Sequence, residues 1–297
     1  MASTRDMRLR IRSVKNLAQV TKALETVSAS KVRRAVAANK ATQPYAEKAW
    51  KVLVHLARQP GHQTLHPLLT DRPQVRKVLV LMVSADRGLA GPYNVNIFRH
   101  TMDAFHDSSV PVSYVAVGRK GRDLLIRRRE DVIAEFSDLP SPPSFTAVAP
   151  IGQLLVEDYQ KGLYDEVYVT FTQFHNLLKQ TPVTQRLLPM NVVFKHDESE
   201  HQTGTTHRTS SVFTYEPDSS ELLDEIVPRF IGLQVYQAIL SSQASEHAAR
   251  MVAMRNATES AKDLIGSLQL DYNKLRQLII TNDMLDIAGG ANALTQA

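Results

Sequence analysis

One stretch of this sequence holds side chains that could ligate a metal. Three histidines stand close to three acidic residues in the connection from Lys195 to Ser220, namely His196, Asp197, Glu198, Glu200, His201 and His207. Imidazole and carboxylate groups are common zinc ligands. The same stretch is rich in serine and threonine, which favours a polar connection with solvated histidines. We therefore expect no metal site there.

Two glycine-containing segments could bring backbone amides onto a phosphate group. Gly88 and Gly91 lie in SADRGLAG, and Gly118 and Gly121 bound GRKG, each after an apolar, β-rich run. Neither segment matches the G-x-x-x-x-G-K-[ST] loop or the G-x-G-x-x-G fingerprint of nucleotide-binding proteins. The spacing favours tight strand-to-helix turns. We expect no direct nucleotide binding and no cofactor.

A serine and an aspartate could belong to a hydrolase triad. Ser84 and Asp86 lie two residues apart, but no G-x-S-x-G elbow surrounds the serine. A triad would require His100 or His106 to fold back onto them. A small α/β enzyme with helical extensions therefore remains only an alternative, and turnover without partners would favour it.

The N-terminal forty residues form a basic arm, with ten lysines and arginines against Asp6 and Glu25. Such an arm could bind nucleic acid by releasing counterions from phosphates, or it could face an acidic protein partner. The charge alone does not separate these alternatives, although no aromatic residue that could stack on a base precedes Tyr45. An arginine-rich, acid-poor start also fits an organellar transit peptide.

The composition is that of a globular protein. The 297 residues are 43% hydrophobic, enough for one or two ordinary cores. No run approaches the roughly twenty apolar residues that cross a bilayer. The absence of cysteine excludes disulfides, thiolate metal sites and cysteine nucleophiles.

Long helices are predicted at both ends of the chain. Residues Thr4–Arg58 lack glycine, and their only proline is Pro44. Because proline disrupts a helix, we expect a bend near Gln43. A helical pattern returns from Glu221 to about Ala288. Two apolar stripes could pair these helices as an antiparallel coiled coil, one with Met7, Ile11, Val14, Leu17, Val20, Leu24 and Val27, the other with Leu264, Leu268, Tyr272, Leu275 and Ile279.

The middle of the chain alternates β-rich and helical patterns. Strands are predicted at Val75–Ser84, Val110–Val117, Val132–Phe136 and Glu166–Phe174, and helices at Tyr93–His106, Arg119–Arg128 and Gly152–Gly162. The proline-rich Leu139–Pro150 segment is predicted to be a loop. This alternation favours an open α/β (Rossmann-like) domain at 74–194, inserted between coiled-coil helices at 1–60 and 221–297, with a connection at 195–220.

Several motifs resemble the ATP synthase gamma subunit family. The N-terminal helix carries IRSVKN, TKA and VSASKVRRA, and the C-terminal helix carries ASEHAARMVAMRNAT and YNKLRQLIIT followed by AGGANAL. SADRGLAG, GRKG and the YEP at Tyr215 resemble family motifs as well. The resemblance covers the whole chain from Ala2, so no cleaved transit peptide is expected.

The departures from the family are mild. Gly91, Pro92 and Tyr93 stand where many members have a glycine pair and a phenylalanine, and Leu24 stands where many have methionine. These differences make the conformation of the loop at Gly91–Tyr93 uncertain to predict, but they do not change the expected coiled coil of the two terminal helices. No cysteine-bearing regulatory insertion of the plant chloroplast type occurs near Lys195–Tyr215.

The resemblance implies a mechanical function without catalysis. The chain would be the rotor shaft in a ring of three alpha and three beta subunits, resting with the epsilon subunit on the membrane c-ring. Proton or sodium flow would turn it and drive ATP synthesis at beta, and it would regulate ATPase activity and ion flow. The expected location is the cytoplasmic face of a bacterial cell membrane, as a peripheral protein.

The resemblance also assigns contact residues. The family residues that contact the alpha–beta ring near the top of its central bore match Arg276, Gln277 and Thr281. Those that lie near an acidic lever segment of the beta subunit match Arg250, Glu246, Lys22 and Leu24. Tyr215 and Glu216 match the foot on the membrane ring. Each has a purely local alternative: Arg250 could pair with a neighbouring helix, Tyr215 could cap a turn, and Thr281 could bond back within its helix.

Overall fold

A computed structural model describes residues 3–57, 67–190 and 219–295 of the chain. The helices are α1 Thr4–Ala57, α2 Tyr93–Phe105, α3 Arg119–Arg128, α4 Phe145–Gln160 and α5 Ser219–Thr295, and the strands are β1 Val78–Val83, β2 Val112–Val117, β3 Asp131–Phe136, β4 Glu166–Phe174 and β5 Gln180–Leu188. The chain divides into two compact units. We call Met1–Ala29 with Arg250–Ala297 the helical unit and Ser30–Ala249 the sheet unit.

The sheet unit is built on five strands in the order β3-β2-β1-β4-β5. Strands β1 to β4 are parallel, and β5 pairs antiparallel with β4. The central strand β1 reads VLVLMV and is buried along its whole length, as expected for a parallel strand covered on both faces. Its pairing with β4 ends at Met82–Thr170, so β4 continues for four residues beyond it.

Alternate residues of β1 point into two cores. Val78, Val80 and Met82 join side chains from α2 and α3. Leu79 and Leu81 join the larger core, to which α4 and the sheet-unit parts of α1 and α5 contribute. This alternation follows from the two-residue period of a strand.

Close helix packing completes the larger core. A Cβ atom on Gly152 of α4 would lie 2.8 Å from the Cα atom of Gly232 in α5, so only a residue without a side chain fits there. Trp50 of α1 packs against Phe230 of α5 with ring centroids 5.5 Å apart. Helix α5 is therefore an integral part of the sheet unit.

The helical unit is held by a narrow seam between α1 and α5. Met7 and Ile11 are buried with Tyr272, and the Arg8 guanidinium donates to the Tyr272 hydroxyl over 2.8 Å. Farther along, the hydroxyls of Thr21 and Thr258 are 2.8 Å apart and buried. The coiled-coil fold class expected from the sequence is confirmed.

The predicted stripes were wrong in part. Leu17, Val20 and Val27 are 53–56% exposed. Leu264 and Ile279 are also exposed, at 48% and 40%. Within the helical unit, the buried residues of α1 fall at 7, 11, 21 and 28, in heptad register, where Thr21 and Ser28 take seam positions. Counting only apolar residues missed these small polar ones. On α5, Ile265 rather than Leu264 packs into the seam.

Two elements differ from the prediction. Helix α4 begins at Phe145, within the predicted loop, because Ser144 caps it and Val148 and Ile151 are buried in the core. Its N-terminal half accommodates Pro150. Strand β5 was not predicted, since its polar, proline-containing sequence lies at a sheet edge. Pro44 lies inside α1, which is continuous from Thr4 to Ala57, so Pro44 does not divide the helix; the bend expected at Gln43 stays a prediction.

Candidate functional site

The two glycine turns meet at the carboxyl edge of β1 and β2. The Ser84 hydroxyl donates to the carbonyl of Val117 over 2.9 Å and accepts from the amide of Gly121, also over 2.9 Å. Gly118 has φ +95°, and a Cβ there would lie 2.6 Å from the Ser84 carbonyl oxygen. A Cβ on Gly121 would collide with the Ser84 side chain. Both glycines are therefore needed for the turn itself.

The amides at the N-terminus of α3 are bonded within the chain. Arg119 N donates to the Asp86 carboxylate over 3.1 Å, and Lys120 N donates to the Ala85 carbonyl over 3.0 Å. With Gly121 bound to Ser84, three successive amides are used by the β1–α2 loop. Free amides at this position would form an anion site. The geometry therefore supports turn formation as the role of these glycines.

The crevice at the carboxyl ends of β1 and β4 is filled by α5. In open α/β sheets, ligands bind where the strand order reverses, which here lies between β1 and β4. Helix α5 places Ser241, Ser242 and Ser245 against the end of β4. A nearby cavity lined by Ser84, Asp86 and Gln243, among others, measures about 30 Å³. That is room for one or two water molecules, not for a nucleotide.

The histidines considered for a hydrolase triad lie elsewhere. His100 Nε2 is 3.1 Å from the Thr184 hydroxyl on β5, and His106 is beside Asp107 at the surface. Ser84 instead bonds backbone groups of the neighbouring turn. The structure does not bring a serine, a histidine and an acid of this set together.

A charged cluster joins the amino ends of β1 and β4. The Asp165 carboxylate accepts from Arg72 Nη1 over 2.8 Å and from Arg76 N over 2.7 Å, with Lys77 N at 3.3 Å. Burial by itself would raise the pKa of Asp165, but these hydrogen bonds outweigh it and hold the pKa below its usual value. Arg72 also donates to the Tyr159 carbonyl over 2.6 Å. The cluster stabilises the sheet unit.

The residues matched to the top of the bore lie on the outer surface of α5. Arg276, Gln277 and Thr281 are all exposed, and Thr281 donates back to the Gln277 carbonyl over 2.9 Å. The back-bond that the sequence left open for Thr281 is thus present. It leaves the exposed side chains of Arg276 and Gln277 accessible to a partner.

The residues matched to the beta lever belong to both units. Lys22 is exposed and pairs with Glu25 over 3.0 Å, and Leu24 is half-buried in α1. Glu246 and Arg250 follow each other by one turn on α5 and are both half-buried. Tyr215 and Glu216 lie outside the described residues, as does the stretch with His196, His201 and His207.

Sequence reasoning missed a large exposed apolar surface on the helical unit. On α1 it comprises Leu9, Leu17, Val20 and Val27, and on α5 it comprises Leu264, Leu270, Leu278, Ile279, Ile280, Met284, Leu285 and Ile287. We call this set the apolar sleeve surface. Large apolar residues exposed in such number along two helices are typical of a contact with a protein or a membrane. The available signal was an excess of apolar residues beyond what one seam can bury.

None of the helices in the described ranges is long and apolar enough to cross a membrane. The apolar sleeve surface is interrupted by charged residues such as Lys274, Arg276 and Asp283. Its composition therefore suits contact with another protein.

Comparison with known proteins agrees along the whole chain. A family model described as ATP synthase matches residues 3–294. The ATP synthase gamma chain of Dehalococcoides mccartyi strain CBDB1 is 44% identical over 295 residues, which cover 99% of this chain and 100% of the relative. That of Roseiflexus castenholzii is 43% identical over 299 residues, 100% of both chains.

Solved structures share the fold. A chain from the rotor of the Euglena gracilis mitochondrial ATP synthase has a TM-score of 0.64 at 18% identity and covers 93% of this chain and 98% of its own. A chain from the OSCP/F1/c-ring structure of the same enzyme has a TM-score of 0.67 at 19% identity, covering 98% and 94%. Full-length identity above 40% and the matching family model show that this chain belongs to the ATP synthase gamma chain family. Members of this family are the non-catalytic rotor subunits of the F-type central stalk.

Proposed function

We propose that this gamma chain turns inside a ring of three alpha and three beta subunits and couples ion flow to ATP synthesis through its apolar sleeve surface. The observation that carries this proposal is the distribution of apolar side chains in the helical unit. Its seam is narrow, while large residues such as Leu270, Leu278 and Ile287 are more than 60% exposed. Burying these side chains against a surrounding partner would release apolar surface from water.

A shaft acts on catalytic sites only through unequal contacts. It shifts each beta site by as much as it binds that site's conformations with different affinity. The helical unit is asymmetric, because α1 begins at Thr4, near the seam residue Tyr272, whereas α5 continues beyond Tyr272 to Thr295. One rotating surface can therefore present a different set of side chains to each beta subunit in turn.

Arg276, Gln277 and Thr281 are the proposed polar contacts near the top of the bore. Arg276 and Gln277 are exposed on the same helix as the sleeve residues. An arginine guanidinium can form strong charge-assisted hydrogen bonds with carboxylates of a partner. Replacing Arg276 and Gln277 together with alanine should weaken assembly of the head and lower its ATPase activity. Arg127→Ala, at an exposed arginine of α3, is the matched control and should change neither.

A second set of contacts is proposed near the lever of beta. Lys22, Leu24, Glu246 and Arg250 are candidates because they include both charges and a half-buried leucine on the two long helices. The cationic residues suit an acidic segment of the partner. Lys22→Glu should lower ATP turnover of the assembled head more than it lowers assembly. Equal loss of both would assign Lys22 to assembly alone.

Membrane attachment is proposed through partners. Tyr215 and Glu216 would contact the polar loops of the c-ring, with epsilon beside them, on the cytoplasmic face of a bacterial cell membrane. The bacterial gamma chain relatives support this location, and a related solved structure from Tetrahymena thermophila is described as a central stalk with its c-ring. Glu216→Lys should impair ion-coupled ATP synthesis more than hydrolysis by the detached head. Equal damage would place Glu216 in folding.

The experiment that tests the central proposal is co-expression with alpha and beta subunits from a related bacterium. Size-exclusion chromatography and an ATPase assay would be run with and without this chain. We expect co-elution at one copy per three alpha–beta pairs and ATPase activity that requires it. A chain that elutes alone, with activity independent of it, would contradict the proposal. Steep salt-dependent binding of the isolated chain to duplex DNA would then favour the basic-arm alternative.

A further inference from the structure

The end of β4 extends beyond its parallel neighbour. Pairing with β1 stops at Thr170, but β4 continues to Phe174 and remains paired with β5 on its other side. The backbone groups of this overhang that face β1 therefore need other partners, because buried amides and carbonyls are costly to leave without hydrogen bonds. Thr172 is itself buried, at 3% exposure.

Three serines on one face of α5 supply those partners. Ser242 Oγ accepts from Thr172 N over 3.0 Å, and Ser241 Oγ accepts from Phe174 N over 2.9 Å. Ser245 Oγ is 3.1 Å from the Thr172 carbonyl and donates to it. All three serines are buried, Ser245 completely. The helix thus takes the position of a missing strand along the overhang.

Hydrogen bonds constrain the helix in a way that apolar contacts do not. Apolar burial is non-directional, so it sets the rotation of a helix less sharply than directional contacts do. Hydrogen bonds weaken steeply as their angles depart from linear. Three of them on serines at 241, 242 and 245 fix both the position of α5 along the strand and its rotation about its own axis.

We propose that Ser241, Ser242 and Ser245, with the β4 overhang, form a joint that transmits torque between the β-sheet and α5 without slip. The same helix continues past Ala249 into the helical unit, where it carries the apolar sleeve surface. The joint rests on the rotary function of the family and is independent of the contact residues proposed above. It also explains why the ligand crevice of the sheet is filled by a helix.

The test compares a triple variant with a surface control. Ser241→Ala/Ser242→Ala/Ser245→Ala removes the three hydroxyls and keeps the helix, whereas Ser109→Ala changes an exposed serine of the sheet unit. Because the chain has no cysteine, Asp107→Cys creates a single attachment point at a side chain that is 99% exposed. A bead on this cysteine reports rotation of the sheet unit in an immobilised head whose other subunits lack accessible cysteines.

We expect the wild-type bead to rotate with ATP, which tests the rotary function by itself. When the head is stalled, the triple variant should show wider angular fluctuations than wild type and Ser109→Ala, with unchanged ATP hydrolysis. Amide hydrogen exchange at Thr172 and Phe174 should be roughly tenfold or more faster. Faster exchange with unchanged fluctuations would overturn the joint and leave the serines as a purely structural completion of the sheet. Should the triple variant fail to fold, Ser242→Ala alone must show the same widening, and its absence would likewise overturn the proposal.

Discussion

The two units of this protein bury different kinds of residue. In the sheet unit, large aliphatic side chains from every layer are fully buried, for example Leu79, Leu81 and Leu155. In the helical unit, Met7, Ile11 and Tyr272 are buried at one place, and farther along the seam narrows to the Thr21–Thr258 pair. The sheet unit therefore buries its large apolar residues within the chain, whereas the helical unit leaves many of its large apolar residues exposed.

This difference also explains the two types of glycine. Gly118, Gly121 and Gly152 in the sheet unit lie against other atoms at distances where a Cβ would not fit. Gly266 in the helical unit has open space around it. Packing requires glycine at these three positions of the sheet unit, whereas no contact within the described chain requires it at Gly266.

The largest expected effect separates the two units directly. Leu155→Ala should destabilise the protein by about 2–5 kcal/mol because it leaves a cavity in the larger core. Leu270→Ala, at a residue 63% exposed in the helical unit, should change stability by no more than about 0.5 kcal/mol while weakening head assembly. Urea unfolding of the isolated chain and co-elution with alpha and beta measure the two effects. Similar unfolding losses for both variants would abolish the distinction.

Acid should weaken the sheet unit through Asp165. Since the folded pKa of Asp165 lies below the ordinary value of 3.8, its stabilising contribution is complete above that value and is lost as the pH falls through the folded pKa. Asp165→Asn should cost about 1.5–3 kcal/mol at pH 7 by weakening charged hydrogen bonds. The difference between wild type and variant should shrink below about pH 4. A difference that stays constant between pH 7 and pH 3 would argue against this cause.

A pair of glycine substitutions should act in opposite directions. Gly152→Ala should destabilise the sheet unit by about 1–3 kcal/mol, because the new methyl group meets the backbone of Gly232. Gly266→Ala should stabilise the helical unit by about 0.5–1 kcal/mol, because alanine favours the helix and nothing obstructs it. Thermal and urea unfolding would detect both signs. Two changes of the same sign would contradict the packing difference.

The smallest expected effect concerns the polar seam. A double-mutant cycle of Thr21→Val and Thr258→Val should give a coupling of about 0.5–1.5 kcal/mol from their shared hydrogen bond. Each hydroxyl also has a helical carbonyl as partner, Ala18 for Thr21 and Met254 for Thr258, so the single variants should be mild. Ser13→Ala, at an exposed serine of α1, is the control. Additive effects of the two valines would show that the pair does not stabilise the seam.

Much of the fold could be predicted from local pattern. The limits of α3 and β4 agree with the prediction, because a strand rich in β-branched and aromatic residues and a helix that follows a glycine have clear signals. The predicted helix began at Gly152, seven residues after the observed start of α4, because the prolines at 140–150 suggested a loop. The N-cap at Ser144 was not predicted. Strand β5 was not predicted, because an edge strand needs no alternation of apolar and polar residues.

The residues of the candidate site could be predicted only in part from the sequence. Family motifs identified Arg276, Gln277 and Arg250 as contact candidates, but periodicity placed Leu17, Val20 and Val27 in the seam although they are exposed. A stripe of apolar residues looks the same whether it packs within the chain or against another protein. The three serines of α5 gave no signal, since their partner is the backbone of a strand about seventy residues away in sequence.

The sequence by itself determined the long terminal helices, the open α/β sheet and the family, because these depend on helix propensity, apolar period and short motifs. Tertiary structure alone decided which helix face is buried, how α5 fills the crevice beside β4, and why a Cβ at Gly118 or Gly152 would collide with backbone atoms. Those features arise from contacts between residues distant in the chain, and the free energy of such contacts depends on geometry that no local pattern records.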